Sequence, residues 1–477
     1  MMCAEKVTTY SFEKLGKDAF PIMLYIGPTI EYYSDYEGCT VKNLITDEVF
    51  KEIAEMGVNL ICGHWENRRE IDAMLDLCAK YNILYLPRLD LQKYGFAYYD
   101  FSQKRIVCYN EYSEEKKAQV KAEYIAEVSK YKDHPAFGGV CAGDEPGSDV
   151  IEGYVEMKKI FDEVAPGKFF YVNMLGPDSE SLPCLKFNPF CCEAGEAENM
   201  DKEQITWLDV IYNYANTVGL DVMCYDNYIC WNNMIRPVLL RDIDRLRRGS
   251  YHPKALWTAI IAGTFWEGGE TGFPGQSKAE TFYQSNLAIA GGCCGLLIFP
   301  GFSPIELAHT EQRSFYDRVT GEKTEYYYWY KELFAHIHKC EKVLMNSVYK
   351  GLIKTGINGG DISTEKVVQF EQHLEKQGTG DTVVHTSLLL GSFEQLVGVN
   401  STNTQVVVGC YNYDGKTAFY LTNNSASIAT EITLTFSENV NVYSVDNAEE
   451  KMYQNMKSLK KQLNGGDGVL YVVETVK

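Results

Sequence analysis

The stretch "HPAFGGVCAGDEP", His134 to Pro146, decides how the chain folds. Its centre, "FGGVCAG", is short, small and apolar with no polar alternation, as a strand buried on both faces must be. Two adjacent carboxylates, Asp144 and Glu145, and a proline end it. Directly behind comes "DVIEGYVEMKKIFDEVA", in which apolar residues recur at helical spacing. A buried strand feeding an amphipathic helix is one β/α unit of a parallel sheet, and polar groups at the strand's C-terminal end face the working side.

The same unit recurs along the first two thirds of the chain. "AFPIMLYIG" (19–27), "VNLICG" (58–63) and "NILYLPRLD" (82–90) come before the opening stretch; "KFFYVNMLGP" (168–177), "LDVMCYDNY" (220–228), "KALWTAIIAGTFW" (254–266) and "GLLIFPGF" (295–302) come after it. Helices fill the gaps. Thr46 starts one that Gly57 stops, and Ile71, Met74, Leu75 and Cys78 mark the buried face of the next. "SKAETFYQSNLAIAGG" ends on a glycine pair suited to a helix C-terminus. Eight such strands predict an α/β fold, a (β/α)8 TIM barrel. An open doubly wound sheet for a nucleotide is not supported, because no GxGxxG turn is present.

After "YYYWYKELFAHIHKCEKVL" the texture changes to strand-like alternation. "TQVVVGCYNYDGKTAFYLTN" predicts a hairpin turning at Asp414 and Gly415, "EITLTF" alternates strictly, and "GVLYVVETV" closes the chain. The expected division is a barrel domain over 1–345 and a C-terminal antiparallel β-sandwich over 346–477. Such a sandwich either binds carbohydrate or braces the barrel.

Composition narrows the partners. The 477 residues carry a formal charge of −20, which disfavours a nucleic-acid partner, whose phosphates call for clustered Lys and Arg. Hydrophobic residues at 45% and charged residues at 23% describe an ordinary globular chain, whereas 34 Tyr within 13% aromatics is a surplus of the kind that lines ring-binding clefts. No window approaches the roughly 18 apolar residues of a membrane span, and the N-terminus lacks a signal-peptide core, so a cytoplasmic protein is expected. The 15 cysteines include two adjacent pairs and no C-x-x-C, which reads as reduced packing residues rather than a disulfide framework or zinc site. His336 and His338 point to different helix faces, so no shared metal is expected there and no cofactor is called for. Oligomeric state is left open.

The strand exits gather the chemistry. They supply His64, Trp65 and Glu66 from the second strand, Arg88 and Asp90 from the third, Asp144 and Glu145 from the fourth, and Asn173 from the fifth. The sixth gives Tyr225, Asp226 and Tyr228, and the seventh leads to Trp266 and Glu267. Carboxylates, aromatics and amides without a Ser–His pair or a metal cluster fit glycosidic bond cleavage, which needs one protonated and one ionised carboxyl. Asp144 is placed to tune the protonation of Glu145 or to take hydroxyl hydrogen bonds. Asn173, Tyr225, Tyr228, Trp65, Trp266, His64 and Arg88 are the candidate substrate contacts, Arg88 also being suited to an ion pair with Asp90. Asp226 fits an Asx turn as well as a site role.

The succession "HPAFGGVCAGDEP", "YVNMLGP", "LDVMCYDNY", "KALWTAI" and "AETFYQSNLAIAGGCCGLLIF" resembles that of clan A glycoside hydrolases and their uncharacterised barrel relatives, some related to the family 42 β-galactosidases. The resemblance covers about residues 19 to 345. It implies hydrolysis of a short oligosaccharide or glycoside, with Glu145 at the position of the clan's acid/base. The position before it is Asp144 rather than the clan's Asn. The clan's nucleophile, a Glu closing the seventh strand, has no counterpart within that strand, so the second carboxylate is either Asp226 or Glu267. The alternative from another class is a carbohydrate-binding barrel without turnover, which a lone Glu145 with no second carboxylate nearby would favour.

Overall fold

The computed structural model describes residues 9–28, 42–63, 68–176, 207–231, 234–250, 254–264, 275–302, 313–355 and 395–476. In chain order the barrel runs β1 (Ile22–Tyr25), α1 (Asp47–Met56), β2 (Leu60–Cys62), α2 (Arg68–Lys80) and β3 (Leu84–Leu86). A hairpin, β4 (Ala97–Asp100) and β5 (Arg105–Cys108), precedes α3 (Glu114–Tyr131). Then follow β6 (Gly139–Asp144), α4 (Ile151–Val164), β7 (Phe169–Leu175), α5 (Trp207–Tyr212) and β8 (Val222–Asp226). A short ribbon of β9 (Cys230–Trp231) and β10 (Met234–Ile235) leads to α6 (Leu239–Gly249), β11 (Ala255–Ile261), α7 (Lys278–Ala290), β12 (Leu296–Phe299) and α8 (Glu325–Met345).

The main sheet has eight strands in the order β3-β2-β1-β12-β11-β8-β7-β6, and each pair within it is parallel. Its two ends meet. Parallel bridges join Tyr85 to Phe137 and Arg88 to Cys141, so β3 closes onto β6 and no edge is left. The eight repeated units of the sequence therefore form a (β/α)8 barrel.

Local chemistry sets the elements as read. The Thr46 hydroxyl accepts from Val49 N, and Gly57 ends α1 at φ 101, a left-handed conformation that favours glycine. Ile71, Met74, Leu75 and Cys78 are all buried on α2. On α7, Gly291 continues the helical turn and Gly292, at φ 92, breaks it. Below the strands, Tyr10, Phe12, Phe169 and Trp257 form an aromatic cluster with centroids 4.9–6.3 Å apart, closing the N-terminal end of the barrel.

Beyond α8 come β13 (Ser347–Thr355), β14 (Leu396–Ser401), β15 (Val406–Tyr413), β16 (Lys416–Asn423), β17 (Thr430–Asp446), β18 (Glu449–Leu463) and β19 (Gly468–Thr475), paired antiparallel. Asp414 and Gly415, both at positive φ, turn the β15–β16 hairpin, as the sequence predicts. In "EITLTF" Ile432, Leu434 and Phe436 are buried and the residues between them are not. The first half of β17 pairs with β14 and the second with β19, so this one strand runs through both layers of a β-sandwich. Val406, Val408, Phe419, Leu421, Ile432 and Leu434 belong to its internal core.

The sandwich packs on α7. Every residue from Glu280 to Ala290 is buried, because this helix has the barrel on one side and β15, β16 and β19 on the other. Hydrogen bonds stitch the contact: Tyr411 to Ile289 O, Tyr349 to Ala290 O at 3.0 Å, Tyr420 to Asn286 Oδ1 at 2.7 Å, and Asn286 Nδ2 to Gly466 O at 2.8 Å. At Gly409 a Cβ would stand 2.4 Å from Ala290 O, so only glycine permits this approach.

The ten described cysteines that are free are all buried, in keeping with a packing role. His336 meets the Tyr420 hydroxyl at 3.0 Å, whereas His338 lies between Glu341 (2.8 Å) and Gly57 O (2.7 Å), so the two rings do face apart. Among the described residues no helix is long and apolar enough to cross a membrane.

Candidate active site

The C-terminal end of β6 is irregular, and the irregularity aims the acids. Its register on β7 slips between Cys141 and Gly143, a bulge that bends the strand just before Asp144. Gly143 is required there: a Cβ would stand 1.7 Å from the Tyr154 hydroxyl, which donates to Ala142 O at 3.3 Å. Glu145 then adopts φ 47, unusual for a residue with a side chain and more so before proline. Strain of this kind costs roughly 1–3 kcal/mol and persists where the surroundings impose it. Here the Glu145 N–H donates to Asn173 O at 2.8 Å, pinning the strained turn to β7. Ile26, at the exit of β1, has φ 68, so the barrel mouth holds a second strained residue.

Four polar side chains converge at this mouth. Asn173 is 2% exposed and donates through Nδ2 to Asp144 Oδ1 at 3.1 Å, while its own Oδ1 accepts from Tyr171 at 3.4 Å. Asp226, at the exit of β8, is half-buried with Oδ1 closed to solvent. The Glu145 side chain is in hydrogen-bond contact with Asp226, and Asn173 reaches it as well. The Tyr228 hydroxyl lies 3.5 Å from Asp226 Oδ2, and its ring stacks on Phe299 with centroids 5.3 Å apart at 21°. Burial pushes the Asp226 carboxyl up to about 7; hydrogen bonds from Glu145 and Asn173 oppose the rise and the charge of Asp144 adds to it.

The floor beneath is weakly polar. Tyr25 lies against Asp144, Arg88, Cys141 and Cys62, and Tyr171 against Cys224 and Cys62, so an interior layer of phenols and thiols underlies the acids. Such a layer solvates charge poorly, and it is why Asp226 loses its ionised form so readily. Arg88 Nε donates to Asp90 Oδ2 at 2.8 Å, the ion pair its sequence position suits, and its guanidinium also lies beside Asp144 and Tyr25.

The structure thus brings together Asp144, Glu145, Asn173, Asp226, Tyr228 and Arg88. Tyr225, expected at the mouth, is turned away from it. Successive strand residues face opposite sides, so with Asp226 inward Tyr225 points outward under α6, fully buried, its hydroxyl 3.5 Å from Leu239 O. His64, Trp65, Glu66, Trp266 and Glu267 lie outside the described residues, as does the side chain of Trp231. The exit of β11, Ile261 to Thr264, carries no carboxyl. Trp207 and Trp257 are buried in the core. Tyr25 and Phe299 were missed by inspection of the polar strand exits, although a tyrosine closing the aliphatic run "PIML" is a readable signal. Among the described residues no group of three His, Cys, Asp or Glu side chains is arranged to hold a metal ion.

Behind the acids a buried ionic network holds the loop after β8. Asn227 Nδ2 donates to Asp242 Oδ2 at 2.6 Å, Arg236 to Asn227 Oδ1 at 2.5 Å, and Arg241 Nε to Asp242 Oδ1 at 2.7 Å. This clamp fixes Asn227 and Arg236 on α6, and with Asn227 its neighbours Asp226 and Tyr228.

No protein-family model and no curated protein matches the sequence. The fold has solved counterparts. A β-galactosidase from Bacillus circulans sp. alkalophilus is 10% identical with a TM-score of 0.57, covering 96% of this chain and 99% of its own. A catalytic mutant of a family 42 β-galactosidase from G. stearothermophilus is 9% identical with a TM-score of 0.54, covering 99% and 100%. A structure described as a glycoside hydrolase is 10% identical with a TM-score of 0.51, covering 99% and 98%. The likeness spans barrel and sandwich together, and it is a likeness of fold: the chain is a barrel protein distantly similar to clan A glycoside hydrolases.

Proposed function

We propose that this protein is a glycoside hydrolase that cleaves a short oligosaccharide or glycoside, with Glu145 and Asp226 as its two catalytic carboxyls. The observation that carries the reading is their contact across the mouth from β6 and β8, with one of them held near neutrality. A glycosidase needs one carboxyl protonated and one ionised at the same pH, and a pair of this kind provides both states. The two groups stand closer than the about 5 Å of a retaining pair and far closer than the about 6.5–9.5 Å that inversion needs for its water, so retention is the nearer outcome once a sugar parts them.

Asp144 and Asn173 are placed to take sugar hydroxyls, and the stacked Tyr228–Phe299 pair offers an aromatic wall. Trp65, Trp266 and His64 are proposed as further substrate contacts on their sequence positions, and Glu267 as an alternative second carboxyl. The barrel over 1–345 serves as the catalytic domain and the sandwich over 346–477 braces it through α7. The ten described cysteines are buried and in no disulfide, which supports a reducing compartment, the cytoplasm. A non-catalytic sugar-binding barrel is disfavoured by the contact of the two carboxyls, since a mere binding site has no use for a proton shared between acids.

The test is a screen of aryl glycosides with product stereochemistry read by NMR. Retention of configuration, lost with the activity in Glu145→Gln and Asp226→Asn, is the expected result. Turnover unchanged in both variants removes the pair from the mechanism.

A further inference from the structure

We propose that His336 is an acid-sensitive latch that holds the β-sandwich on the barrel while its ring is neutral and releases it when the ring takes a second proton. A chain of directed hydrogen bonds fixes the neutral form. Gly466 O can only accept, so the Asn286 atom that meets it at 2.8 Å is the Nδ2 donor, and Asn286 Oδ1 faces the Tyr420 hydroxyl at 2.7 Å. The single hydroxyl proton of Tyr420 goes to that oxygen. Tyr420 therefore accepts from His336 Nε2 at 3.0 Å, which places the ring proton on Nε2. The other ring nitrogen, Nδ1, takes the N–H of Ala448 at 3.4 Å and must be bare to do so.

The chain crosses the joint twice. Asn286 on α7 and His336 on α8 belong to the barrel, whereas Tyr420 on β16 and Ala448 in the β17–β18 turn belong to the sandwich. Asn447 and Ala448, at φ 46 and 62, make a tight two-residue turn that presents the Ala448 N–H to the ring. A second ring proton would set one N–H against another and leave a charge on a side chain only 3% exposed. The surroundings compensate little. Cys340 on α8 lies 3.7 Å from Nε2, with Tyr443 of β17 beyond it, and the Asp446 carboxylate on β17 is already paired with Lys461 of β18. Asp467 bears on Tyr420, Lys339 and Glu450 pair at 3.9 Å on the exposed rim, and α7 contributes the neutral Asn286. Burial accordingly holds the ring down to about 4 against the pull of Asp446.

Once the joint opens and water reaches the ring, it titrates near 6.5. A docked value below the open one means that the contribution to docking is full above 6.5 and is lost as pH falls toward about 4. Within that window each pH unit shifts the docked-to-open ratio by about tenfold. The face uncovered is the side of α7 that meets β15, β16 and β19. His338, two residues further on, faces Glu341 and Gly57 O inside the barrel, and its raised pKa gives a contribution of the opposite sign. Acid therefore loosens α8 from the sandwich and not from α1.

Two measurements on the full chain test the latch, and neither depends on hydrolysis. Between pH 7.5 and 5.5, hydrogen exchange corrected for the intrinsic rate should show protection of α7 and of the 446–449 turn falling about tenfold further than that of β1 and β2. In His336→Gln, whose amide can donate to Tyr420 but takes no second proton, that difference should vanish. Protection that is kept, that is lost evenly over barrel and sandwich, or that is lost equally in His336→Gln overturns the proposal. The second measurement needs no variant. Nitrogen-15 NMR of the eight histidine rings should show one imidazole with its proton on Nε2 at pH 7.5 and no titration above about pH 5. If every imidazole titrates near neutral pH, or if the one that does not carries its proton on Nδ1, the proposal falls.

Discussion

Glu145 and Asp226 come from barrel strands that are not neighbours, yet their carboxyls meet, because Asn173 on the strand between them binds both sides. Its carbonyl accepts the Glu145 N–H at 2.8 Å, and its amide donates to Asp144 at 3.1 Å and reaches Asp226. One neutral side chain with two N–H donors thus spaces three acids that would otherwise repel. The arrangement concentrates negative charge over a floor of phenols and thiols, so that one proton is retained near neutral pH. A water-filled mouth would not do this.

The charge of Asp144 should be readable in the pH profile. It raises Asp226, so Asp144→Asn should move the Asp226 titration to lower pH. The limb of the kcat/KM profile that Asp226 sets lies at about 7 in the native protein. In Asp144→Asn that limb should therefore lie at lower pH than in the wild type. A limb that stays in place shows that Asp144 does not act on the ionising group.

Gly143 should tolerate no side chain. A Cβ there falls 1.7 Å from the Tyr154 hydroxyl, so in Gly143→Ala either α4 or the strand exit must move. Overpacking of this kind costs about 1–3 kcal/mol. A shift of the exit by about 1 Å misplaces Glu145 and should lower kcat/KM by roughly a hundredfold. Urea unfolding and steady-state kinetics on the same preparation separate the two effects; wild-type activity in a destabilised variant would show that the helix yields and the strand does not.

The strand beat was legible because each barrel strand is buried on both faces and so lacks polar alternation; "FGGVCAG" and "ALWTAII" could be little else between helices. The exits of β6, β7 and β8 were legible for the same reason, since a carboxyl or amide ending such a run stands out. Tyr225 was misplaced because side chains alternate across a strand, and the inward parity of β8 depends on its pairing with β7, a tertiary fact. The bulge at Cys141–Gly143 and the positive φ of Glu145 were equally hidden. They arise from Tyr154 on a helix and Asn173 on another strand, and local sequence carries no mark of either. Tyr25 was overlooked because tyrosine in a buried strand reads as packing until a charge is found beside it.

His338 predicts a pH dependence of stability away from the mouth. Burial alone would lower its pKa, but Glu341 at 2.8 Å and Gly57 O at 2.7 Å both favour the charged ring and raise it above 6.5. A folded value above the unfolded one means that the contribution is full below the unfolded pKa and is lost as pH rises through the folded one. The contact is a cation at the C-terminus of α1, worth up to about 2 kcal/mol when partly buried. His338→Ala should therefore narrow the stability difference between pH 5.5 and pH 8.5, measured by urea unfolding; an unchanged slope would place the effect elsewhere.

Glu145 itself should be a stability defect. Its φ of 47 suits glycine, so Glu145→Gly relieves roughly 1–3 kcal/mol of strain and adds about 0.4–1 kcal/mol of unfolded-state entropy. A net stabilisation of about 1 kcal/mol should accompany complete loss of hydrolysis. Glu145→Gln serves as the control, because it removes the same charge beside Asp144 and Asp226 but keeps the side chain in the strained turn. If the glycine variant is no more stable than the glutamine variant, strain at this exit is not stored in the backbone, and any gain in both reflects relief of carboxylate repulsion alone.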